Sequence, residues 1–190
     1  YAGFLLTEVN NFNAKISKAL GGDATQALKI ISKVNNRIGV YLTIKTIINI
    51  ILASISFLIM WVMGIDNAVF WAVMIGFLNY IPYVGSAIGV GFPVGLALAQ
   101  FGSLQWAILA LVLLMAVQTY VGNILEPKMI GKSVNLSSFV VLLALVFWTT
   151  IWGLPGAILS IPLTSVLVIL LAENQSTKPF AAMFTSDGDL

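Results

Sequence analysis

Long stretches without a charged side chain place the strongest constraint on how this chain can fold. No charged residue occurs between Lys45 and Asp66, from Asn67 to Leu125, or from Ser133 to Ala172. The hydrocarbon core of a bilayer is about 30 Å thick, and about 20 helical residues cross it. The three uncharged stretches, in the order given, have room for roughly one, three and two crossings of the membrane.

The overall composition indicates the same class of protein. Hydrophobic residues make up 59% of the sequence and charged residues 8%, whereas an average soluble domain is about one quarter charged. A folded chain of 190 residues keeps much of its surface exposed, and this sequence lacks the polar groups to cover that surface in water. We therefore predict an all-α integral membrane protein, built as a multi-spanning helical bundle.

The charge distribution divides the sequence into three predicted regions. Residues 1–44 would hold the end of a preceding span and a cytoplasmic amphipathic segment, because apolar and basic residues recur there on different faces of a helix. Residues 45–172 would form the transmembrane core, and residues 173–190 a loose polar tail in the cytoplasm. The sequence begins with Tyr rather than Met, which is consistent with a piece of a longer protein.

Within the core, the sequence predicts a first complete span over Thr46–Ile65, with Lys45 snorkelling towards water at its start. A later span is expected over Leu104–Gly122. The polar residues Asn123–Lys128 would then form a connector. Lys45 and the connector Asn123–Lys128 are therefore both expected at the membrane surface.

Two short apolar segments, Asn67–Ile81 and Val84–Gln100, are separated by a break that contains Pro82 and Gly85. Proline removes a backbone donor, and glycine loosens a helix. The two segments would form either a re-entrant hairpin or a pair of tilted crossings. Charge does not choose between these arrangements, because both return the chain to the same side.

A second pair of segments, Leu136–Ile151 and Leu154–Ala172, is interrupted in the same way. Its break holds Gly153, Pro155 and Gly156, and Pro162 is expected to interrupt the later segment. Transporters place substrate and ion sites at broken helices, although proline and glycine can also simply kink a membrane helix. The presence of two such breaks in one short chain favours the first interpretation.

Glu126 is the only acidic residue between Asp66 and Glu173. Ionisable groups near membrane segments are candidates for ion or proton coupling, but a loop carboxylate paired with Lys128 or Lys132 would give the same pattern. Four amide side chains could line a pathway or hydrogen-bond between helices. They are Asn79, Gln100, Gln118 and Asn123.

The distribution of basic residues predicts the orientation of the chain. Most of them lie in the region from Tyr1 to Lys45, and basic residues collect on the cytoplasmic side of membrane proteins. This region and the C-terminus are therefore predicted to be cytoplasmic, with Asp66 outside.

The sequence contains no cysteine and no histidine. Their absence excludes disulfides, thiolate nucleophiles, Cys/His zinc sites and a Ser-His-Asp triad. The basic residues lie near membrane segments rather than in a folded patch, so we expect no nucleic-acid partner. We also expect no enzymatic activity, no metal and no cofactor.

Three motifs resemble the signatures of the autoinducer-2 exporter (PerM-like) family. The first is Asn79-Tyr80-Ile81-Pro82-Tyr83-Val84-Gly85. The second is Gln118-x4-Asn123-x2-Glu126-Pro127-Lys128-x2-Gly131. The third is Trp152-Gly153-x2-Gly156-x3-Ser160-Ile161-Pro162-Leu163. The resemblance covers residues 1–172, which correspond to the C-terminal half of that family.

The resemblance implies a multi-pass transporter of the bacterial inner membrane, assembled as a homo-oligomer. Some members are linked to export of the quorum-sensing signal autoinducer-2, and others to sodium or lithium exchange against protons. The residues expected to line or gate a transport pathway belong to the motifs and breaks described above. They are Asn79, Pro82, Gly85, Gln118, Asn123, Glu126, Pro127, Gly153, Pro155 and Gly156.

Three functions remain open from the sequence. Export of a small polar solute would rely on Asn79, Gln118 and Asn123 as hydrogen-bonding groups. Exchange of a monovalent cation against protons would need a carboxylate that gains and loses a proton, and Glu126 is the ion-coupling candidate. A membrane scaffold without transport of its own is the third.

Overall fold

The computed structural model describes residues 24–130, 136–173, 175 and 177–186. Apart from short turns and an isolated bridge, this described part is helical. Four of its helices are long and apolar enough to cross a membrane: Val34–Val62, Val84–Phe101, Leu104–Ile130 and Leu154–Ala172. The predicted class, an all-α multi-spanning membrane protein, is confirmed.

The first helix of the described residues, α1, comprises Ala24–Val62. The chain divides after Val40 into two units, and all contacts considered below lie in the second, Tyr41–Leu190. The predicted Thr46–Ile65 span is too short at its start, because the apolar helix already begins at Val34. The predicted segment before residue 45 is helical from Ala24 onwards, and its earlier part lies outside the described residues.

Two helices of unequal length form a first hairpin, α2 (Ala68–Leu78) and α3 (Val84–Phe101). The predicted break at Pro82 is confirmed, whereas α3 continues through Pro93. At 1.5 Å per residue, α2 is only about 16 Å long and α3 about 27 Å. Helix α2 alone is therefore too short to cross a hydrocarbon core of about 30 Å.

The turn of this hairpin requires both an unusual backbone angle and a missing side chain. Tyr83 has a φ of 59°, in the region that non-glycine residues rarely adopt. At Gly85, the second residue of α3, a Cβ atom would overlap the backbone carbonyl of Leu78. Glycine at this position lets the start of α3 pass directly against the end of α2.

The next helical stretch contains three parts. Helix α4 (Leu104–Tyr120) is followed by a π-helical turn (Val121–Leu125), and α5 (Glu126–Ile130) completes it. Together they form one apolar stretch that is long enough to span a membrane. The polar connector predicted at Asn123–Lys128 is therefore wrong, since these residues are helical.

A second hairpin, α6 (Ser138–Trp152) and α7 (Leu154–Glu173), repeats the construction of the first. Gly153 has a φ of 66°, and a Cβ atom at Gly156 would overlap the backbone carbonyl of Trp148. The predicted break at Gly153 is confirmed. The predicted interruption at Pro162 is wrong, because α7 is helical through that residue.

The predicted loose tail is partly wrong. Helix α8 (Lys178–Phe184) buries Ala181 and packs on α7. The backbone N–H of Ser137 also donates to the carbonyl oxygen of Phe184 at 3.0 Å. These contacts hold the described part of the tail against the second hairpin.

A cluster of buried apolar residues joins α1 to the first hairpin and α4. Its fully buried members include Ile48, Leu52 and Met60 of α1, with Ala97 and Leu114 from the later helices. Many other large apolar side chains are exposed on the outside of these helices. That pattern suits a lipid-facing surface and would be costly in water.

Alanine substitution should show that the first hairpin depends on the missing side chain at Gly85. Gly85→Ala should lower the free energy of unfolding by about 2 kcal/mol, because the backbone must shift to admit the methyl group. Gly91→Ala, in the same helix, is the matched control, since its Cβ would meet nothing within 4 Å. Thermal unfolding in detergent compares them, and equal shifts for the two variants would contradict the packing argument.

Candidate functional site

A cavity of about 430 Å³ is lined by residues from the part of α1 after Val40, the turn of the first hairpin, the end of the α4–α5 stretch and the second hairpin. Its polar lining comes from Tyr41, Lys45, Asn123, Glu126 and Ser138. The remaining lining residues are Pro82, Tyr83, Gly122, Pro127, Ile130, Leu136, Val141 and Ile161. The cavity thus combines one cluster of hydrogen-bonding groups with a largely apolar wall, as small-molecule sites commonly do.

An ion pair between Lys45 and Glu126 dominates the polar side of the cavity. The Nζ atom of Lys45 donates to Oε1 of Glu126 at 2.6 Å. The two side chains are 6% and 21% exposed, respectively. The predicted snorkelling of Lys45 is therefore wrong, because its ammonium group turns inwards to a carboxylate.

Within the described residues, Glu126 pairs with Lys45 and not with Lys128, one of the two lysines that the sequence suggests. Lys128 is exposed, and Lys132 lies outside the described residues. Lys45 is 81 positions away in sequence, so local spacing could not reveal the pair. Leaving either charge alone in this environment would carry a desolvation penalty of several kcal/mol, which explains why the two groups meet.

The π turn gives Glu126 its direction. Its backbone N–H donates to the carbonyl oxygen of Val121, five residues earlier. In a regular α-helix the ring of Pro127 would collide with the carbonyl of Asn123, four residues earlier, and a π turn relieves such a clash. The extra residue rotates the following side chains by about 100°. A regular helix would present Leu125 in the direction that Glu126 now takes.

Two of the predicted pathway residues lie in a separate amide chain. Nε2 of Gln118 donates to Oδ1 of Asn79 at 2.7 Å, and Nδ2 of Asn79 donates to Oδ1 of Asn49 at 2.8 Å. This chain connects α4, the end of α2 and α1. Asn79 and Gln118 are not among the residues that line the cavity, and their contacts are those of interhelical hydrogen bonding.

The other predicted site residues divide between the cavity and the hairpins. Pro82, Asn123, Glu126 and Pro127 line the cavity. The remaining four are not among the lining residues: Gly85 lies in the first hairpin, and Gly153, Pro155 and Gly156 lie at the start of α7.

Sequence reasoning missed Tyr41 and Lys45 as parts of the site. Their spacing of four residues places both on one face of α1, one turn apart. A lysine inside an apolar helix was the available signal. The several charges in the preceding residues instead indicate that Lys45 marks the start of a span.

The sequence model of the AI-2E family transporter matches residues 2–175. The chain belongs to this family. Two relatives from Escherichia coli K12 illustrate the match. The AI-2 transport protein TqsA is 29% identical over 182 residues, which cover 96% of this chain and 52% of TqsA. YhhT, named as a candidate transport protein, is 32% identical over 186 residues, which cover 95% of this chain and 51% of YhhT.

A protein of Borreliella burgdorferi, also named as a candidate transport protein, is 33% identical over 189 residues. The match covers 98% of this chain and 52% of that relative. The chain therefore spans about half the length of the curated relatives it matches. The similarity to the family extends over nearly the whole of this chain.

A double-mutant cycle should measure the coupling between Lys45 and Glu126. Lys45→Met and Glu126→Gln should each destabilise the fold by about 3 kcal/mol, because each leaves the other charge unpaired. The double variant should be less destabilised than the sum of the two. Thermal unfolding in detergent gives all four values. Additive effects would show that the two groups do not interact in the folded protein.

Residue deletion should test how the π turn orients Glu126. In a Pro127→Ala background, deletion of Ile124 removes the extra residue and leaves Glu126 facing Lys45. Deletion of Val112 within α4 is the control, since it rotates all later residues by about 100°. Because the sequence of this chain has no cysteine, cysteines introduced at positions 45 and 126 can be bridged by a bifunctional thiol reagent. Cross-linking should survive the deletion of Ile124 and be lost on deletion of Val112. Equal loss of cross-linking in both deletion variants would contradict the role of the π turn in orienting Glu126.

Proposed function

We propose that this chain supplies the substrate cavity of a secondary transporter for a small polar solute without net charge. The observation that carries the proposal is the largely buried Lys45–Glu126 pair on the wall of a cavity of about 430 Å³. Membership of the AI-2E family supports it, and the name of TqsA makes autoinducer-2 the first solute to test.

The chemistry of the lining favours an uncharged solute. Lys45 and Glu126 carry opposite charges, so the pair adds no net charge to the cavity. A solute anion would be attracted to Lys45 and repelled by Glu126, and a cation would experience the reverse. A molecule with several hydroxyl or carbonyl groups can use the donors and acceptors of both residues without separating them.

The first hairpin offers a means of alternating access. Pro82 and Tyr83, in its turn, line the cavity, and transporters move broken-helix elements against the rest of the protein. A movement of α2 and α3 would therefore change the cavity wall directly. The same proposal includes export as the direction of transport and a homo-oligomeric assembly. It also places the protein in the bacterial inner membrane, with its N- and C-terminal regions in the cytoplasm.

Sodium or lithium exchange against protons is the alternative. Its support is the position of Glu126, a largely buried carboxylate that lines the cavity. A cation that uses Oε1 must first displace the Lys45 ammonium group, which lies 2.6 Å away. A scaffold without transport would require that neither activity be found.

Transport in liposomes tests the proposal with the protein in its full natural length. Wild type should take up labelled autoinducer-2, and Glu126→Gln should reduce uptake at least about tenfold, since one charged partner in the cavity is lost. Lys128→Gln is the matched control, because this exposed lysine is two residues away and does not line the cavity. Equal loss in both variants would contradict a specific role for Glu126.

The same liposomes, loaded with a pH-sensitive dye, distinguish the alternative. A change in internal pH on addition of sodium or lithium, absent in Glu126→Gln, would establish antiport. Autoinducer-2 uptake without a pH change would exclude antiport of these cations under the same conditions. A wild-type protein that shows neither response in correctly oriented liposomes would favour the scaffold.

A further inference from the structure

Within the second unit, the chain uses one arrangement of helices twice. A long helix precedes a hairpin in each case: α1 precedes α2 and α3, and the α4–α5 stretch precedes α6 and α7. In both hairpins the first helix is the shorter one, and the second contains a buried proline. A residue with positive φ stands at each break, Tyr83 or Gly153. These shared features define two structural repeats, residues 41–101 and residues 104–173.

The two long helices run in opposite directions. Lys45 of α1 pairs with Glu126. Asn49, one turn later in α1, is joined through Asn79 to Gln118, which lies before Glu126 in the sequence. Positions that rise along α1 therefore meet positions that fall along the α4–α5 stretch, and the two helices are antiparallel. The second repeat thus begins at the end of the bundle where α1 finishes.

The two hairpins turn at opposite ends of the bundle. Pro82, in the turn of the first hairpin, and Ser138, the first residue of α6, line the same cavity. The backbone bond between Ser137 and Phe184 holds α8, which follows α7, beside the start of α6. Helix α7 is long enough to cross the membrane, so its start next to Gly153 lies at the opposite face. The second repeat is therefore inverted in the membrane relative to the first.

The cavity lies between the two repeats. Tyr41, Lys45 and Pro82 line it from the first repeat, and Asn123 and Glu126 line it from the second. Transporters with inverted repeats bind their substrates at the repeat interface, and they expose that site to each face by moving one repeat against the other. The fold of this chain therefore contains the architecture that such a movement requires.

Corresponding positions of the two repeats differ in exposure, as expected for repeats in different conformations. Ser138, the first residue of α6, is exposed and lines the cavity. Its counterpart Ala68, the first residue of α2, is only 8% exposed and belongs to the buried apolar cluster. The turn of the first hairpin is held to α1 by a hydrogen bond between Tyr80 and Thr46 at 2.6 Å, whereas Leu154, beside the second turn, is half exposed. The start of one hairpin is thus open, and the start of the other is closed.

We infer that the two repeats exchange these conformations during transport, and that the exchange forms a second opening at the opposite face, beside Ala68. The inference rests on the proposed function and adds the route by which the solute crosses that face. In the second state, Ala68 takes the exposed position that Ser138 has in this structure, and Ser138 becomes buried. The two openings do not exist together, because each requires a different arrangement of the same interface.

Two reporter cysteines test the exchange in the protein of full natural length, with any other cysteines replaced. Ser138→Cys and Ala68→Cys are combined in one protein, in sealed vesicles of known orientation. A membrane-impermeant reagent that forms a reducible disulfide is added at the face opposite to the first hairpin turn. Modification at position 68 should hold the second opening in place, because the attached group does not fit a close-packed interior. A fluorescent maleimide at the other face should then fail to label position 138, and autoinducer-2 uptake should be lost until the disulfide is reduced.

The matched control carries Gln105→Cys in place of Ala68→Cys. Gln105 is exposed in the first turn of α4, at the same end of the bundle as the start of α2. Its modification from that face should leave both the labelling of position 138 and the uptake of autoinducer-2 unchanged.

Three other results separate the inference from the proposed function. A cysteine at position 68 that stays unreactive from both faces, in a protein that takes up autoinducer-2, would overturn the second opening. Continued labelling of position 138 after modification at position 68 would overturn the exchange between the repeats. Reciprocal labelling of the two positions, with no uptake of autoinducer-2 by wild type, would support the exchange and contradict the proposed solute.

Discussion

The ion pair between Lys45 and Glu126 is the interaction on which the described cavity depends. It joins α1 to the end of a helical stretch 81 positions later, and neither charge could be buried there alone at low cost. The geometry of that stretch is adapted to the pair. Pro127 favours a π turn, and the turn directs Glu126 rather than Leu125 towards α1. A local backbone irregularity thus serves a long-range electrostatic contact.

Backbone hydrogen bonding gives the two hairpins their shared design. A lipid-exposed chain must satisfy its N–H and C=O groups internally, so a break between two helices has to be short and tightly packed. Both hairpins meet this need with a small residue pressed against a carbonyl of the preceding helix, Gly85 against Leu78 and Gly156 against Trp148. The first hairpin also contributes its turn to the cavity, which links the packing of the membrane helices to the site.

Sequence patterns predicted the features that depend on local chemistry. Uncharged stretches indicated the membrane class, and the Pro82 and Gly153 breaks follow from backbone restrictions at single residues. Prediction failed where the surrounding structure overrides such preferences. Pro162 remains inside α7, and the polar residues after Tyr120 continue a helix instead of leaving it. Proline and polar residues indicate where a helix can end, but tertiary packing decides whether it does.

The candidate site was only partly accessible from sequence for the same reason. Glu126 stood out because acidic residues are rare here, whereas Lys45 acquires its meaning only from a partner on another helix. The amide chain shows the opposite case: Asn79 and Gln118 resemble pathway residues in sequence, yet they hydrogen-bond to each other. Polar residues in a membrane protein therefore fall into two groups, according to whether they hydrogen-bond to other helices or line a cavity. Asn79 and Gln118, which hydrogen-bond between helices, stabilise the bundle, whereas the Lys45–Glu126 pair lines the cavity.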